Sequence, residues 1–464
     1  MSRKQKTAIC IFMSKIENAT NSRQTLHFHG FTKFSIFDNW HDKKYIRVRS
    51  LTRSFYKKGM KTQMQKSDAE IFPQAKFMRK AILLAKKGEG FTNPNPLVGA
   101  VIEKNGKILA TGFHHKYGAL HAERDVLFNL AKKNLLDAAK DATLYVTLEP
   151  CCHFGKQPPC TKAILEAGIS KVVVGSRDPN PLVAGKGIKF LRENGIQVYE
   201  DFLRDECDAF NFIFFHFITK KTPFVALKYA MTADGKIATV SGKSKWISCE
   251  SSREHVHSLR KKYAAILCGI GTVLADNPLL TCRIEGGRNP VRVICDSDLR
   301  IPLDSKIVQS AKEIPTIVAC ALDESSLKNS QNKNFKEKIS ALNDAGIEIL
   351  FCKKRTDSTR SHSDIPCKNE IDLKKLMRLL AKKNLDSVLI EGGAKINFSA
   401  LRAGIVQRVY CFVAPKIFGG SSAPSPVGGD GVRFVSQNFA LEQISFAQCG
   451  EDVLIEYALR QSKN

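Results

Sequence analysis

Residues 148–160 read LEPCCHFGKQPPC, and upstream, at 119–128, stands ALHAERDVLF. The upstream stretch puts His121 and Glu123 two apart at the opening of what its apolar spacing marks as a helix. The other sets Cys151 and Cys160 each after a proline, with eight residues between them. One imidazole and two thiolates leave the fourth position of a tetrahedral zinc open for water, which is the catalytic rather than the structural arrangement. Zinc lowers that water's pKa toward neutrality, and a nearby carboxylate that is not a ligand can take its proton. Glu123 suits that role, because it projects from the same helix end as His121. The expected ligands are therefore His121, Cys151 and Cys160, with Cys152 left off the metal.

Each half of this pattern is common alone: a His-Ala-Glu arises by chance, and two cysteines near a turn can simply be buried. Together, in the order His-x-Glu, strand, Pro-Cys, Pro-Cys, they match the signature of the zinc deaminases, where the glutamate passes a proton to the leaving amine. The usual deaminase spacing between the cysteines is about two residues. The longer loop here carries His153, Gly155 and Lys156. Two potential cations beside a metal suit a phosphate on the substrate; the plainer alternative is a solvated loop with an incidental lysine.

At 464 residues the chain exceeds what one hydrophobic core usually serves, so two or more domains are expected. It has no run of about 18 apolar residues, and its greasiest stretch, FNFIFFHFI at 210–218, is too short and too broken to span a bilayer. No membrane partner is expected. A net charge of +27 invites a nucleic-acid reading. The lysines, however, are spread along the chain in stretches such as AILLAKKGEG and LLAKKNLDS, as on solvated helix faces, and the remaining charge suits small anionic ligands. Fourteen cysteines form no regular framework, and many sit in apolar strands, as reduced thiols do. An intracellular, cytoplasmic setting is expected, or an organellar one where the basic first segment acts as a transit peptide.

That segment, residues 1–70, lacks periodicity, ends in RVRSLTRSFYKKGMKTQMQKSD, and is expected to be a disordered extension; Met60 offers an alternative start. From residue 73 helices and strands alternate, with Asn105-Gly106 as a hairpin turn, giving an α/β domain over 71–218. After the polar TKKTP a second, larger α/β domain runs over 223–460, interrupted by the polar insert KKRTDSTRSHSDIPCKNE. This half has no GxGxxG. In IEGGAKINFSAL, at 390–401, a strand ends in Gly392-Gly393 and a helix begins, whose free N–H groups could cradle a pyrophosphate. Alone, such a turn is more often only a turn.

Four stretches, PNPLVGAVI, HAERDVL, TLEPCCHFGKQPPC and RDPNPLVAGKGI, together resemble the bifunctional riboflavin-biosynthesis deaminase/reductase family, RibD. LKYAMTADGKIA, SGKSKWIS and GTVLADNPLLTCR resemble its reductase half, so the likeness runs from about residue 74 to 460. It implies a cytidine-deaminase-like α/β/α sandwich followed by a dihydrofolate-reductase-like α/β domain, with Zn2+ and NADPH as cofactors. It places Asn95 in a pyrimidine pocket and His153 and Lys156 on the substrate phosphate. In the second half it places Ala230, Trp246, Thr272, Asp276, Ser297 and the turn from Gly393 along the cofactor, and Ser244, Arg260, Leu280, Arg283 and Glu391 toward the substrate. The guanidinium groups of Arg260 and Arg283 suit a phosphate clamp, with surface ion pairing as the alternative. Lys228 and Asp276 are the candidates for polar groups near the reacting sugar carbon. The chain departs from the family at Leu120, where proline is usual, and at Cys152, where serine is usual.

The expected function is hydrolytic deamination of 2,5-diamino-6-ribosylamino-4(3H)-pyrimidinone 5′-phosphate, then reduction of its ribosyl group to ribityl. The partner is that small phosphorylated pyrimidine and no nucleic acid; a homo-oligomer is compatible. A deaminase acting on tRNA or single-stranded DNA is the alternative, but it needs stacking aromatics around the zinc loop, where HFGKQPP offers one Phe. A non-enzymatic zinc module would need a fourth protein ligand. Each constellation is complete within its own segment, so the two halves are expected to work independently.

Overall fold

The computed structural model describes residues 35–37, 45–47, 72–154, 158–180, 183–322, 333–353 and 370–460. The chain divides into residues 1–72 and 73–464. In the first unit β1 (Ser35–Phe37) pairs antiparallel with β2 (Tyr45–Arg47), a short element within the segment expected to lack structure. The rest of that segment, the insert at 354–369 and Lys156 lie outside the described residues.

The second unit carries two sheets. β3 (Gly99–Lys104) and β4 (Lys107–Phe113) form the hairpin that Asn105-Gly106 announced: both turn residues have positive φ, 52° and 75°, which suits the right-handed strand twist. With β5 (Thr143–Leu148), β6 (Lys171–Ser176) and β7 (Gln197–Tyr199) they make a five-stranded sheet in the order β4-β3-β5-β6-β7, parallel from β5 onward. Helices Ala75–Ala85, Ala122–Ala131, Cys160–Glu166 and Lys186–Glu193 accompany it. Val126, Leu130, Ile164 and Leu191 from the last three join Ile102, Leu144 and Val172 of the strands in one buried cluster.

The other sheet has nine strands: β8 (Phe224–Thr232), β9 (Ala265–Gly269), β10 (Val291–Cys295), β11 (Thr316–Cys320), β12 (Ile347–Phe351), β13 (Ser387–Ile390), β14 (Arg408–Ala414), β15 (Leu441–Cys449) and β16 (Asp452–Leu459), in the order β12-β11-β10-β9-β13-β8-β14-β16-β15. All pairs from β12 to β14 are parallel, and the last two are antiparallel. Parallel strands covered on both faces read as continuous apolar runs. In AILCG of β9, Ala265 and Leu267 enter one core cluster while Ile266 and Cys268 enter another.

The greasy stretch at 210–218 lies mostly in a helix, Phe212–Lys220, that wedges between the sheets. Phe214 joins the first sheet's core, Ile213 joins that of the second, and the Phe212 ring lies 4.8 Å from that of Phe224. The domain boundary expected at 218 therefore falls inside a helix, and only Lys221, Thr222 and Pro223 of TKKTP connect it to β8. Among the described residues no helix is long and apolar enough to cross a membrane.

Arg292 is fully buried, and among the described residues its hydrogen-bond partners include no carboxylate. Its guanidinium donates to Thr316 Oγ1, Ser310 Oγ and the carbonyls of Leu279, Ile307 and Ile314, at 2.8–3.3 Å. Burial holds its pKa down at about 10. Lysine has too few donors for five separated acceptors. Arg292→Lys is expected to lower stability toward urea by roughly 2–4 kcal/mol, since buried acceptors lose their partners; an unchanged midpoint would reassign the cluster to water.

Candidate active sites

His121 is the N-cap of helix Ala122–Ala131, in extended backbone, and Glu123 sits in the first turn. Cys160 opens helix Cys160–Glu166 behind Pro159, and Cys151 lies in the loop after β5. Two helix starts and one strand end thus bring together three groups that are 30 and 39 residues apart in sequence. The imidazole Nδ1 of His121 is 3.6 Å from Cys151 Sγ and 3.4 Å from Cys160 Sγ. All three ligand atoms lie within 4.8 Å of one another, the only such group found among the described residues. A fourth protein ligand, which a structural zinc would use, is not among them.

The electrostatics fit a metal centre. Bonds from Cys160 and His121 hold the Cys151 thiol down at about 4 against its burial, and the Cys151 bond with burial pushes Cys160 well up. The bond to Cys151 raises His121. Glu123 is only 4% exposed, and burial, with the Cys151 thiolate beside it, pushes its carboxyl up to about 7. Cys152 is partly exposed, and it is not among the ligand atoms that come together.

Three supporting residues were not anticipated. Arg124 donates to the carbonyls of Pro158 and Pro159, at 3.1 and 3.2 Å, fixing the approach to Cys160. His114 is buried; its Nδ1 meets the Leu120 carbonyl at 2.8 Å and its Nε2 meets Asn95 Nδ2 at 3.1 Å. A carbonyl at Nδ1 calls for the Nδ1–H tautomer, so Nε2 accepts from the Asn95 amide. Glu149 is buried and accepts from the backbone N–H groups of Asp178, Gly185, Gly187 and Ile188, tying the loop after β6 to the cysteine loop. Their only sequence signal was proximity: Arg124 and Glu149 lie inside HAERDVL and TLEPCC. His153 is exposed, and the phosphate role expected of Lys156 lies outside the described residues.

In the second sheet a cleft of about 1540 Å³ opens at the carboxyl ends of β8, β9, β10 and β13. From β9 the chain winds outward through β10, β11 and β12, then returns to insert β13 between β9 and β8; ligand crevices form where strand order reverses in this way. Ala230, Ser244, Trp246, Arg260, Thr272, Asp276, Leu280, Arg283, Ser297, Glu391 and Gly393, scattered over 164 positions, all line it, as does Lys228. Gly393 caps the helix Ala394–Arg402, and a side chain on Gly392 would strike Ile396. Trp246 stands 63% exposed on the rim, its ring against the Arg253 guanidinium at 4.7 Å and its carbonyl held by Lys416 Nζ at 2.9 Å.

The paired clamp expected of Arg260 and Arg283 divides. Arg260 grips Glu391 with two bonds, 2.7 and 2.9 Å, and the Thr281 carbonyl at 2.9 Å, so its guanidinium mainly builds the wall. The physical reason is burial: Glu391 lies at the end of β13, where a carboxylate requires a partner. Lys228 Nζ adds a longer contact to Glu391, 3.9 Å, and burial lowers its pKa. Arg283, in contrast, is exposed at the cleft edge. Between these groups Leu280 is buried with φ of 55°, a left-handed conformation that is rare for leucine. The carbonyls on either side of it, Leu279 and Thr281, are held by Arg292 and Arg260.

A His/Cys/Cys/Glu centre at two helix starts is the arrangement of a zinc deaminase, and it shares one chain with a ligand crevice at a strand-order reversal. Residues 73–176 match the model for the cytidine and deoxycytidylate deaminase zinc-binding region, and residues 223–455 match the RibD C-terminal domain. The riboflavin biosynthesis protein RibD of Actinobacillus pleuropneumoniae is 48% identical over 383 residues, covering 82% of this chain and 94% of that protein. That of Escherichia coli is 34% identical, covering 74% and 88%. A solved structure from Thermotoga maritima, described as a diaminohydroxyphosphoribosylaminopyrimidine deaminase/5-amino-6-(5-phosphoribosylamino)uracil reductase, is 39% identical with a TM-score of 0.69, covering 83% of this chain and 98% of its own. The Acinetobacter baumannii RibD structure is 33% identical with a TM-score of 0.70 and the same coverage. The chain belongs to the RibD family and is a bifunctional riboflavin-biosynthesis enzyme, hydrolase and oxidoreductase. Nothing in these likenesses favours the alternative of a nucleic-acid deaminase.

Proposed function

We propose that the first domain hydrolyses the 2-amino group of 2,5-diamino-6-ribosylamino-4(3H)-pyrimidinone 5′-phosphate and that the second reduces the ribosyl group of the product to ribityl with NADPH. The observation that carries the first half is Glu123, buried beside a three-ligand set that leaves a position open. His121, Cys151 and Cys160 would hold zinc, which would supply a water that is acidic near neutrality. Glu123 takes up a proton and delivers it to the departing amine, Asn95 orients the pyrimidine, and His114 fixes Asn95. His153 and Lys156 take the phosphate.

In the reductase, NADPH supplies the hydride. Trp246 on the rim, Ala230, Thr272, Asp276 and Ser297 hold the cofactor, and the N–H groups at the helix start after Gly393 face its phosphates. Ser244, Leu280 and Glu391 form the substrate wall, and Arg283 takes the substrate phosphate. Arg283→Ala is expected to raise the reductase KM roughly tenfold or more, the weight of a charge-assisted hydrogen bond. An unchanged KM would return Arg283 to the solvated surface.

The direct test incubates the purified protein with the diaminopyrimidine phosphate. Ammonia should appear with or without NADPH, and the ribityl product only with it. Ammonia from single-stranded nucleic acid and none from the pyrimidine would overturn the proposal.

A further inference from the structure

The two halves meet along a seam, and one contact there reaches the deaminase site. Asp386 precedes β13 of the reductase sheet and is 1% exposed. The side-chain amide nitrogen of Asn93, in the deaminase half and 293 positions away, lies 2.9 and 2.8 Å from its two carboxylate oxygens. Ser387 Oγ donates to it as well, at 2.7 Å, and its own carbonyl accepts from Phe224 N at the start of β8, so the carboxylate is fixed to the sheet.

Asn93 and Asn95 share one tight loop, closed by the bond from Asn95 N to the Thr92 carbonyl at 2.7 Å. The far side of Asn95 is the His114 contact, and His114 rests on Leu120, next to the ligand His121. The loop is thus pinned at one end by its own domain and at the other by the reductase. Neighbouring residues approach closely along the seam: Lys262 Nζ is 3.1 Å from Glu89, and Gly90 leaves no room for a side chain beside the Lys261 carbonyl.

We infer that Asp386 is a positioning residue for the deaminase reaction, holding through Asn93 the loop that presents Asn95 to the pyrimidine. A buried carboxylate costs stability unless hydrogen-bonded, and here a main donor belongs to the other domain, so the bond exists only while the domains are docked. The inference rests on the proposed pocket role of Asn95. It also revises the expectation of independent halves: each keeps its own reacting groups, but one borrows its loop geometry from the other.

The test uses the full chain with Asp386→Ala, Asn93→Ala and both together. Each single change should raise the deaminase KM roughly tenfold. Deaminase kcat, bound zinc and the reductase KM should stay near their original values. Because both changes remove one contact, the double variant should be no worse than either single one. Asp386→Asn, which keeps an acceptor oxygen, should fall between. An unchanged deaminase KM in both single variants, effects that multiply in the double, or a parallel loss of reductase activity would each overturn the inference. Where Asp386→Ala does not fold, Asn93→Ala decides alone. Asn95→Ala, measured beside them, separates the two ideas. Its own unchanged KM would sink the pocket role, whereas a raised KM there with an unchanged KM in Asn93→Ala would sink only the positioning.

Discussion

Glu123→Gln is expected to lower ammonia release by roughly a hundredfold to ten-thousandfold, the usual weight of general acid–base catalysis, while zinc stays bound in full. Glutamine keeps the volume of a side chain that is only 4% exposed, so helix Ala122–Ala131 and the ligand His121 at its cap should not shift. What the amide cannot do is accept a proton and return it. Metal content by atomic absorption and ammonia by a coupled assay check the two halves of the statement. The same protein should still oxidise NADPH when given the deaminated intermediate, because the reductase cleft contains none of the altered atoms. Loss of zinc in this variant would make Glu123 a ligand and undo the assignment.

Cys160→Ser is expected to abolish both zinc binding and ammonia release. The Sγ of Cys160 lies 3.4 Å from His121 Nδ1, and the residue is fully buried at a helix start, so it belongs to the fixed frame of the site. A serine hydroxyl is shorter than a thiol and is a poor zinc ligand beside thiolate. The partly exposed Cys152 is the one thiol that could compensate. A Cys160→Ser protein that retained stoichiometric zinc would show that Cys152 had been recruited. As with the glutamate variant, the reductase half-reaction should survive.

What the sequence disclosed was what short-range chemistry controls. Asn105-Gly106 named its hairpin because a turn with two positive φ angles admits few residue types. KVVVGS coincides with β6 because an apolar run between helices has few other uses. The metal set was readable because its order along the chain is itself distinctive. By contrast β15, an edge strand, leaves Leu441, Ile444 and Phe446 exposed, so it has no buried face to give it away. The partnership of Arg260 with Glu391 joins residues 131 apart, and that of Asn93 with Asp386 joins residues 293 apart. Nothing local distinguishes an arginine that will bind phosphate from one that will hold a buried carboxylate. Such pairs are set by which strands become neighbours.

The conformation of Leu280 has a bearing on the thermodynamics of the second reaction. A left-handed, non-glycine residue is unfavourable by about 1–3 kcal/mol and persists only where its surroundings enforce it. Here the enforcement comes from Arg292 and Arg260 on the flanking carbonyls, groups that belong to the protein and are in place without any ligand. The unfavourable backbone is therefore compensated when the chain folds, and the cleft has at Leu280 a wall whose ordering entropy is lost before any ligand arrives. Binding at that wall should need little conformational adjustment, so that less of the interaction free energy is lost to ordering the site.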